Sequence, residues 1–266
     1  MDTRRLILNL LAVNGDATLS VAAVLRACSL FGITENSARV TLARLAQRDL
    51  IEAVERGVYS LGPAGKRLGR DVAGWVRAEA RLRPWNGQWI AAATGGLPRS
   101  DRKRLRSRER ALSMLGMREL AQGLFIRPDN LIDDVAKVEK RLLGLGLDEQ
   151  AIVFAISDLG QGWREAASSL WEGEFPAAVY WERTEKLMHW LEKAPSLSLD
   201  IAARESFTLG DEAIRQVVFD PLLPAPLTDE TARHAFFQAV REFDAVGKQI
   251  WERFLNQISP LDALTK

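Results

Sequence analysis

Apolar residues recur at helical spacing in three short stretches of the first fifty residues. Leu6, Ile7, Leu10 and Leu11 form the first stripe, Val21, Val24, Leu25, Ala27 and Cys28 the second, and Ala38, Leu42 and Leu45 the third. At about 100° per residue each set falls on one side of a helix. Thr3, Ser20 and Thr34 stand at the expected N-caps, and Asn14-Gly15 and Gly32 at the expected stops. The period then changes. Residues 50–54 and 58–61 read as short strands around the turn Glu55-Arg56-Gly57. Three helices followed by a hairpin predict a winged helix-turn-helix over residues 1–70.

On the third helix, the side opposite Ala38, Leu42 and Leu45 holds Asn36, Val40, Ala43 and Gln47. Ser37 and Arg44 lie beside them, and Arg39 is on the flank. Asparagine and glutamine can pair with adenine, and arginine can fork onto guanine. Small Ser37 and Ala43 allow close approach to a groove floor. Arg39 and Arg44 serve equally as phosphate contacts, which position a protein without reading sequence. The candidate DNA-binding residues are therefore Thr34, Asn36, Ser37, Arg39, Val40, Arg44 and Gln47, with Arg56 at the hairpin tip. The bland alternative is a solvated polar face on a structural helix.

Pro63 is expected to open a helix through Leu68, Val72, Trp75 and Val76 that ends at Arg83-Pro84, with residues 71–84 as a helical connector. Strand and helix then alternate. Strands are expected at residues 88–94, within 120–127 (broken at Gly123) and at 151–156, with helices at 99–115 and 130–145. The order βαββαβ over residues 85–158 predicts a ferredoxin-like sheet with helices on one face. From residue 159 the pattern is helical, over 175–194, 199–219 and 229–258. Three prolines in Asp220-Pro-Leu-Leu-Pro-Ala-Pro226 enforce an extended crossing before the last helix. Trp163, Trp171, Trp181, Trp190 and Trp251 are expected in core packing, with a pocket or partner face as the alternative. The predicted fold class is helix-rich α+β in three parts: the winged helix-turn-helix, the ferredoxin-like middle domain and a C-terminal helical domain, 159–266.

Composition changes the picture little, whereas charge changes it more. A chain of 266 residues that is 47% hydrophobic and 27% charged has an ordinary soluble make-up, and its apolar runs are too short to span a bilayer. No signal peptide is read, so a cytoplasmic location is expected. The net charge of +1 conceals a division: residues 1–120 hold 21 Lys/Arg against 11 Asp/Glu, and residues 121–266 hold 15 against 24. A basic first half fits a polyanion partner, or attraction between the two halves. Its densest run, Arg102-Lys103-Arg104-Leu105-Arg106-Ser107-Arg108-Glu109-Arg110, is either a solvated face or a phosphate-binding surface. Cys28 is expected as a buried thiol, and His189 and His234 as surface or packing residues. Neither a metal site nor a cofactor is expected. No G-x-S-x-G, H-E-x-x-H or P-loop is present, so no enzyme is expected.

Three separated segments resemble the PaaX-type bacterial transcriptional repressors of aromatic-acid catabolism. They are Phe31-Gly-Ile-Thr-Glu-Asn-Ser-Ala-Arg-Val-Thr-Leu-Ala-Arg-Leu45, Pro84-Trp-Asn-Gly-Gln-Trp89 and Asp220-Pro-Leu-Leu-Pro224. The chain departs from the family's pattern at a short wing carrying only Arg56, at Phe219, and at Thr228-Asp-Glu-Thr231. The resemblance implies a Cas2-like middle domain and a homodimeric repressor, in several members released from DNA by an aromatic acyl-CoA such as phenylacetyl-CoA. Such a dimer would read an inverted-repeat operator in double-stranded DNA, with half-sites about one helical turn or a multiple apart. A Cas2-like metal-dependent nuclease is the alternative. It is disfavoured because the first middle strand runs into Ala92-Ala93-Thr94, where an acidic residue is wanted. The residues give no effector contacts.

Overall fold

A computed structural model describes residues 2–13, 18–66, 74–173 and 176–257. The chain is helix-rich α+β with two small antiparallel sheets. Contacts gather it into two compact units, one of residues 1–75, 187–213 and 240–266, the other of residues 76–186 and 214–239.

The first unit starts with α1 (Thr3–Val13), α2 (Val21–Ser29) and α3 (Glu35–Ala46). Asp2, not Thr3, begins α1: its Oδ1 accepts from the Arg4 N–H at 3.0 Å, and Thr3 is already helical. Ser20 caps α2 by accepting from Ala23 N–H at 3.1 Å. The expected stop Asn14-Gly15 lies outside the described residues. Strands β2 (Ile51–Glu55) and β3 (Val58–Leu61) form the hairpin. Gly57 takes φ +78 at its turn, a conformation that costs a residue without Cβ little. A strand that the pattern does not reveal, β1 (Leu19–Ser20), pairs with β3 and completes the order β1-β3-β2.

The second unit holds the sheet β5-β6-β4-β7, built from β4 (Trp89–Ala93), β5 (Arg118–Ala121), β6 (Leu124–Pro128) and β7 (Ile152–Ile156). Helices α4 (Arg102–Met114) and α5 (Val135–Leu145) complete the chain order βαββαβ. Asp134 caps α5, which therefore starts later than residue 130. Alternation along β4 fixes the layers. Ile90 and Ala92 pack with Ala111, Leu112, Val138 and Leu142 of the two helices. Trp89 and Ala91 face the other way, against Ala167, Trp171 and Leu223. Trp89 and Trp171 stack there at 6.0 Å and 10°. Ala167 belongs to α6 (Gln161–Ser169), which falls in the stretch expected to be helical from residue 159 but outside its three named spans, and covers the second face of the sheet.

The connector also differs from expectation. Residues 63–66 are helical, residues 67–73 lie outside the description, and 3-10 turns follow at Gly74–Arg77 and Glu79–Arg81. Leu82 then pairs with Leu131, and Arg81 and Arg83 form ion pairs with Asp133 and Asp129 at 2.9 and 2.6 Å. Backbone bonding and the 129–133 loop hold these residues, so no long helix is required. The remaining helices are α7 (Ala177–Lys193), α8 (Leu199–Val218) and α9 (Glu230–Asn256). Trp171, Trp190 and Trp251 are buried, while Trp163 and Trp181 are 50% and 41% exposed. The packing expectation therefore holds for three of the five.

Candidate nucleic-acid interface

Helix α3 owes its position to its buried side. Ala38, Leu42 and Leu45 are all at most 2% exposed and pack with α1 and α2. Gly32, at φ +68, turns the chain out of α2, and Thr34 Oγ1 accepts from Ser37 N–H at 3.3 Å to start the new helix. Glu35 in the first turn suits the helix dipole. Thr41 turns inward on its own helix, donating to Ser37 O at 2.8 Å.

The opposite face is open. Thr34, Asn36, Ser37, Arg39, Val40, Ala43, Arg44 and Gln47 are all exposed. Val40 is 41% exposed, a branched apolar side chain presented to water at the middle of the row. Among the described residues Arg39 makes one ion pair, a 3.9 Å contact with Glu35, both side chains well solvated. Such a pair is worth little and competes weakly with a phosphate. Arg56 is exposed at the hairpin tip, and Val54, 58% exposed, precedes it beside a bulge in the β2–β3 register. The tip is tied to the helices, because Gly57 O accepts from Val21 N–H at 2.8 Å. One surface of one folded element thus carries all seven α3 candidates, with Arg56 on the adjoining hairpin.

Side chains remote in sequence support this element within the first unit. Phe31 meets Phe207 edge-on at 5.5 Å, and Arg5 pairs with Asp211 at 2.7 Å. Arg26 lies 4.5 Å over the Phe254 ring and donates to Gln257 at 3.3 Å. That arginine is therefore a packing residue, not an open cation. No local signal marks Phe207, Asp211 or Phe254 as supports, since their partners stand about two hundred residues away. Cys28 is fully buried among the apolar residues of α2, as expected, and burial pushes its thiol up to about 11.

The basic run on α4 is not one surface. Arg108 is 3% exposed and donates through Nε to Asp148 at 2.7 Å, and Arg104 Nη2 reaches the other carboxylate oxygen at 2.7 Å. The Arg108 hydrogen bond holds the Asp148 carboxyl below its ordinary value. Two of the six cations therefore hold α4 to the residues after α5. At the end of β4, Thr94 is buried and donates to Gly123 O at 3.2 Å. Among the described residues no group of three or more His, Cys, Asp and Glu is placed to hold a metal ion. His189 is exposed, and His234 Nδ1 lies 3.0 Å from Glu79.

The segment after α8 is fixed by donors from the sheet and from α9. Arg127, fully buried, donates to Asn130 Oδ1 at 3.1 Å and Pro221 O at 3.4 Å. Burial lowers its pKa to about 9, which leaves it charged at neutral pH. Asn130 Nδ2 donates to Leu222 O at 2.6 Å, and Arg233 to Leu223 O. Asp220 accepts from Tyr180 OH at 2.6 Å and from Leu222 N–H at 2.8 Å, and burial raises the pKa of both side chains. Gly116 makes room for the segment, since a Cβ there would stand 2.6 Å from Pro221.

Residues 171–253, which include that segment, match the family model described as PaaX-like protein C-terminal domain. The resemblance read from the sequence is thus met independently across α7, α8 and most of α9. The solved structure of the uncharacterized protein Rv0674 from Mycobacterium tuberculosis has a similar fold, with a TM-score of 0.63 and 21% identity over 94% of this chain and 97% of that one. Among curated proteins the sequence finds no significant match. No helix among the described residues is long and apolar enough to cross a membrane.

Proposed function

We propose that this PaaX-like chain is a sequence-specific DNA-binding transcriptional regulator, a homodimeric repressor of a catabolic operon, and not an enzyme. In this reading residues 1–70 are a winged helix-turn-helix and residues 85–158 a ferredoxin-like, Cas2-like domain. Residues 71–84 connect them, and the C-terminal helices, 159–266, serve dimerisation and effector response. The observation that carries the reading is the open face of α3: polar and basic side chains exposed along one side, three apolar ones sealed on the other. Asn36, Gln47 and Arg44 reach base edges, while Thr34, Ser37, Arg39 and Arg56 meet phosphates, and Val40 lies against the groove wall. Release by an aromatic acyl-CoA, such as phenylacetyl-CoA, needs a coupling of about 1–3 kcal/mol between effector and operator.

Enrichment of genomic fragments on the purified protein, followed by footprinting, gives the operator. Arg44→Ala, which removes a side chain forking onto a base, should weaken that complex by about 5- to 150-fold. Arg39→Ala should weaken binding to all sequences alike and lower the salt slope by about 1. Retention of full affinity and sequence preference in the double variant would defeat the assignment of α3. Calorimetric titration with phenylacetyl-CoA tests the effector separately.

A further inference from the structure

The basic residues around α4 divide by helical angle. Arg104 and Arg108 point at Asp148, on the side that also carries Ala111 and Leu112. Arg102, Lys103, Arg106 and Arg110 fall within an arc of about 100° on the opposite side, and Arg99 precedes the cap Asp101. All five are exposed, and among the described residues none makes an ion pair or a hydrogen bond through its own side chain, although Lys103 N–H donates to the cap Asp101 at 2.9 Å. Glu109 lies at the margin of the arc, also exposed.

Helix stability does not account for this row. Arg102, Arg106 and Arg110 stand four residues apart, where like charges repel. Arg102 and Lys103 occupy the first turn, which holds no acidic residue and where the helix dipole opposes cations. The helix is nonetheless rigidly placed, because the buried Arg108–Asp148 pair fixes its inner side. From Arg102 to Arg110 the axis rises about 12 Å. Four cations on that length can neutralise at most about four phosphates. None of the five residues lines the cleft bounded by Arg104, Ser107 and Asp148. A straight, solvent-facing row suits a linear polyanion, whereas a small phosphorylated molecule needs concave walls.

We propose that this row is a second, sequence-independent nucleic-acid contact that binds the phosphodiester backbone of duplex DNA. The choice of duplex DNA as the polyanion rests on the DNA-binding reading above. The row adds affinity and salt dependence, while α3 supplies discrimination.

The test compares the full-length chain with R102Q/K103Q/R106Q/R110Q by fluorescence anisotropy, using a random-sequence duplex of about 40 base pairs over about 50–200 mM KCl. The expected result is a log K against log salt slope shallower by about 2–4 units, with an unchanged circular dichroism spectrum. Operator preference over the random duplex should persist. An unchanged slope and affinity overturn the proposal and leave the row as a solvated face. Loss of self-association at an unchanged slope also overturns it, assigning the row to an acidic surface of a second copy. The two readings fail separately. If the wild type selects no operator but the quadruple variant still loses random-duplex binding, the α3 assignment falls and the row stands.

Discussion

Replacing Asp148 by alanine isolates the contact on which the placement of α4 depends. The Asp148 and Arg108 side chains are each 4% exposed and joined at 2.7 Å, so the substitution strands a guanidinium away from water. Pro98 O, accepting at 3.2 Å, is the partner Arg108 keeps. Breaking such a pair costs about 3–5 kcal/mol, because the remaining charge keeps its desolvation penalty. At roughly 2–4 °C per kcal/mol, this corresponds to a melting temperature lower by about 6–20 °C. Urea titration followed by tryptophan fluorescence gives the free energy, with the slope checking that both proteins unfold alike. The pair replacement Arg108→Met/Asp148→Leu should recover most of the loss, since no buried unpaired charge remains and Arg104, 57% exposed, keeps its charge in water. The pH dependence has a defined sign. Asp148 is held below its ordinary 3.8, first by the Arg108 hydrogen bond, so its contribution is present above that value and lost as pH falls through the lowered one. The gap between wild type and Asp148→Ala should stay constant from about pH 7 to 5 and close below about pH 4. A cost under about 1 kcal/mol at neutral pH would refute the reasoning.

Three further outcomes can be measured. Thr34→Ala should lower stability by about 1 kcal/mol through loss of the α3 cap, and Thr34→Ser should not; thermal melts of the pair decide it. Asn130→Ala leaves Leu222 O and one Arg127 N–H without their partner. A cost of about 2–4 kcal/mol is expected, read by urea titration of that variant. Cys28, buried with its thiol raised to about 11, should resist a disulfide-exchange reagent at pH 8 and react only at the rate of unfolding. Immediate stoichiometric labelling of the native chain would contradict its burial.

What the sequence disclosed depended on the distance between partners. The three buried positions of α3 and the caps Ser20 and Thr34 are local, and a wheel and a capping rule find them. The strand and helix order of the middle segment is likewise local, since turns and periodicity mark each element. Strand β1 escaped because two residues carry no period, and its partner Tyr59 stands forty residues on. Helix α6 lies in the stretch read as helical from residue 159, but its start is not marked, because Gly160 offers no capping side chain. Arg108 is indistinguishable from Arg106 in a basic run until Asp148 comes beside it. Asp2 and Thr3 are both good caps, and nothing but geometry selects between them. For the candidate interface, the exposed face was legible, and its supports Phe207, Asp211 and Phe254 were not.

The way residues 220–224 are held bears on how relatives of this chain diverge. Arg127, Asn130 and Arg233 all grip backbone carbonyls, which every amino acid possesses. Leu223 answers only to packing and can drift among apolar types without loosening the grip, whereas Leu222, at φ +54, excludes β-branched ones. The donors have no such freedom, since each must reach a fixed oxygen from a fixed element. A descendant that loses the recognisable string keeps the architecture while the three donors stay, whereas a change at position 130 keeps the string and weakens its hold. Distant relatives are better sought by the three donors and their spacing than by the five letters they hold.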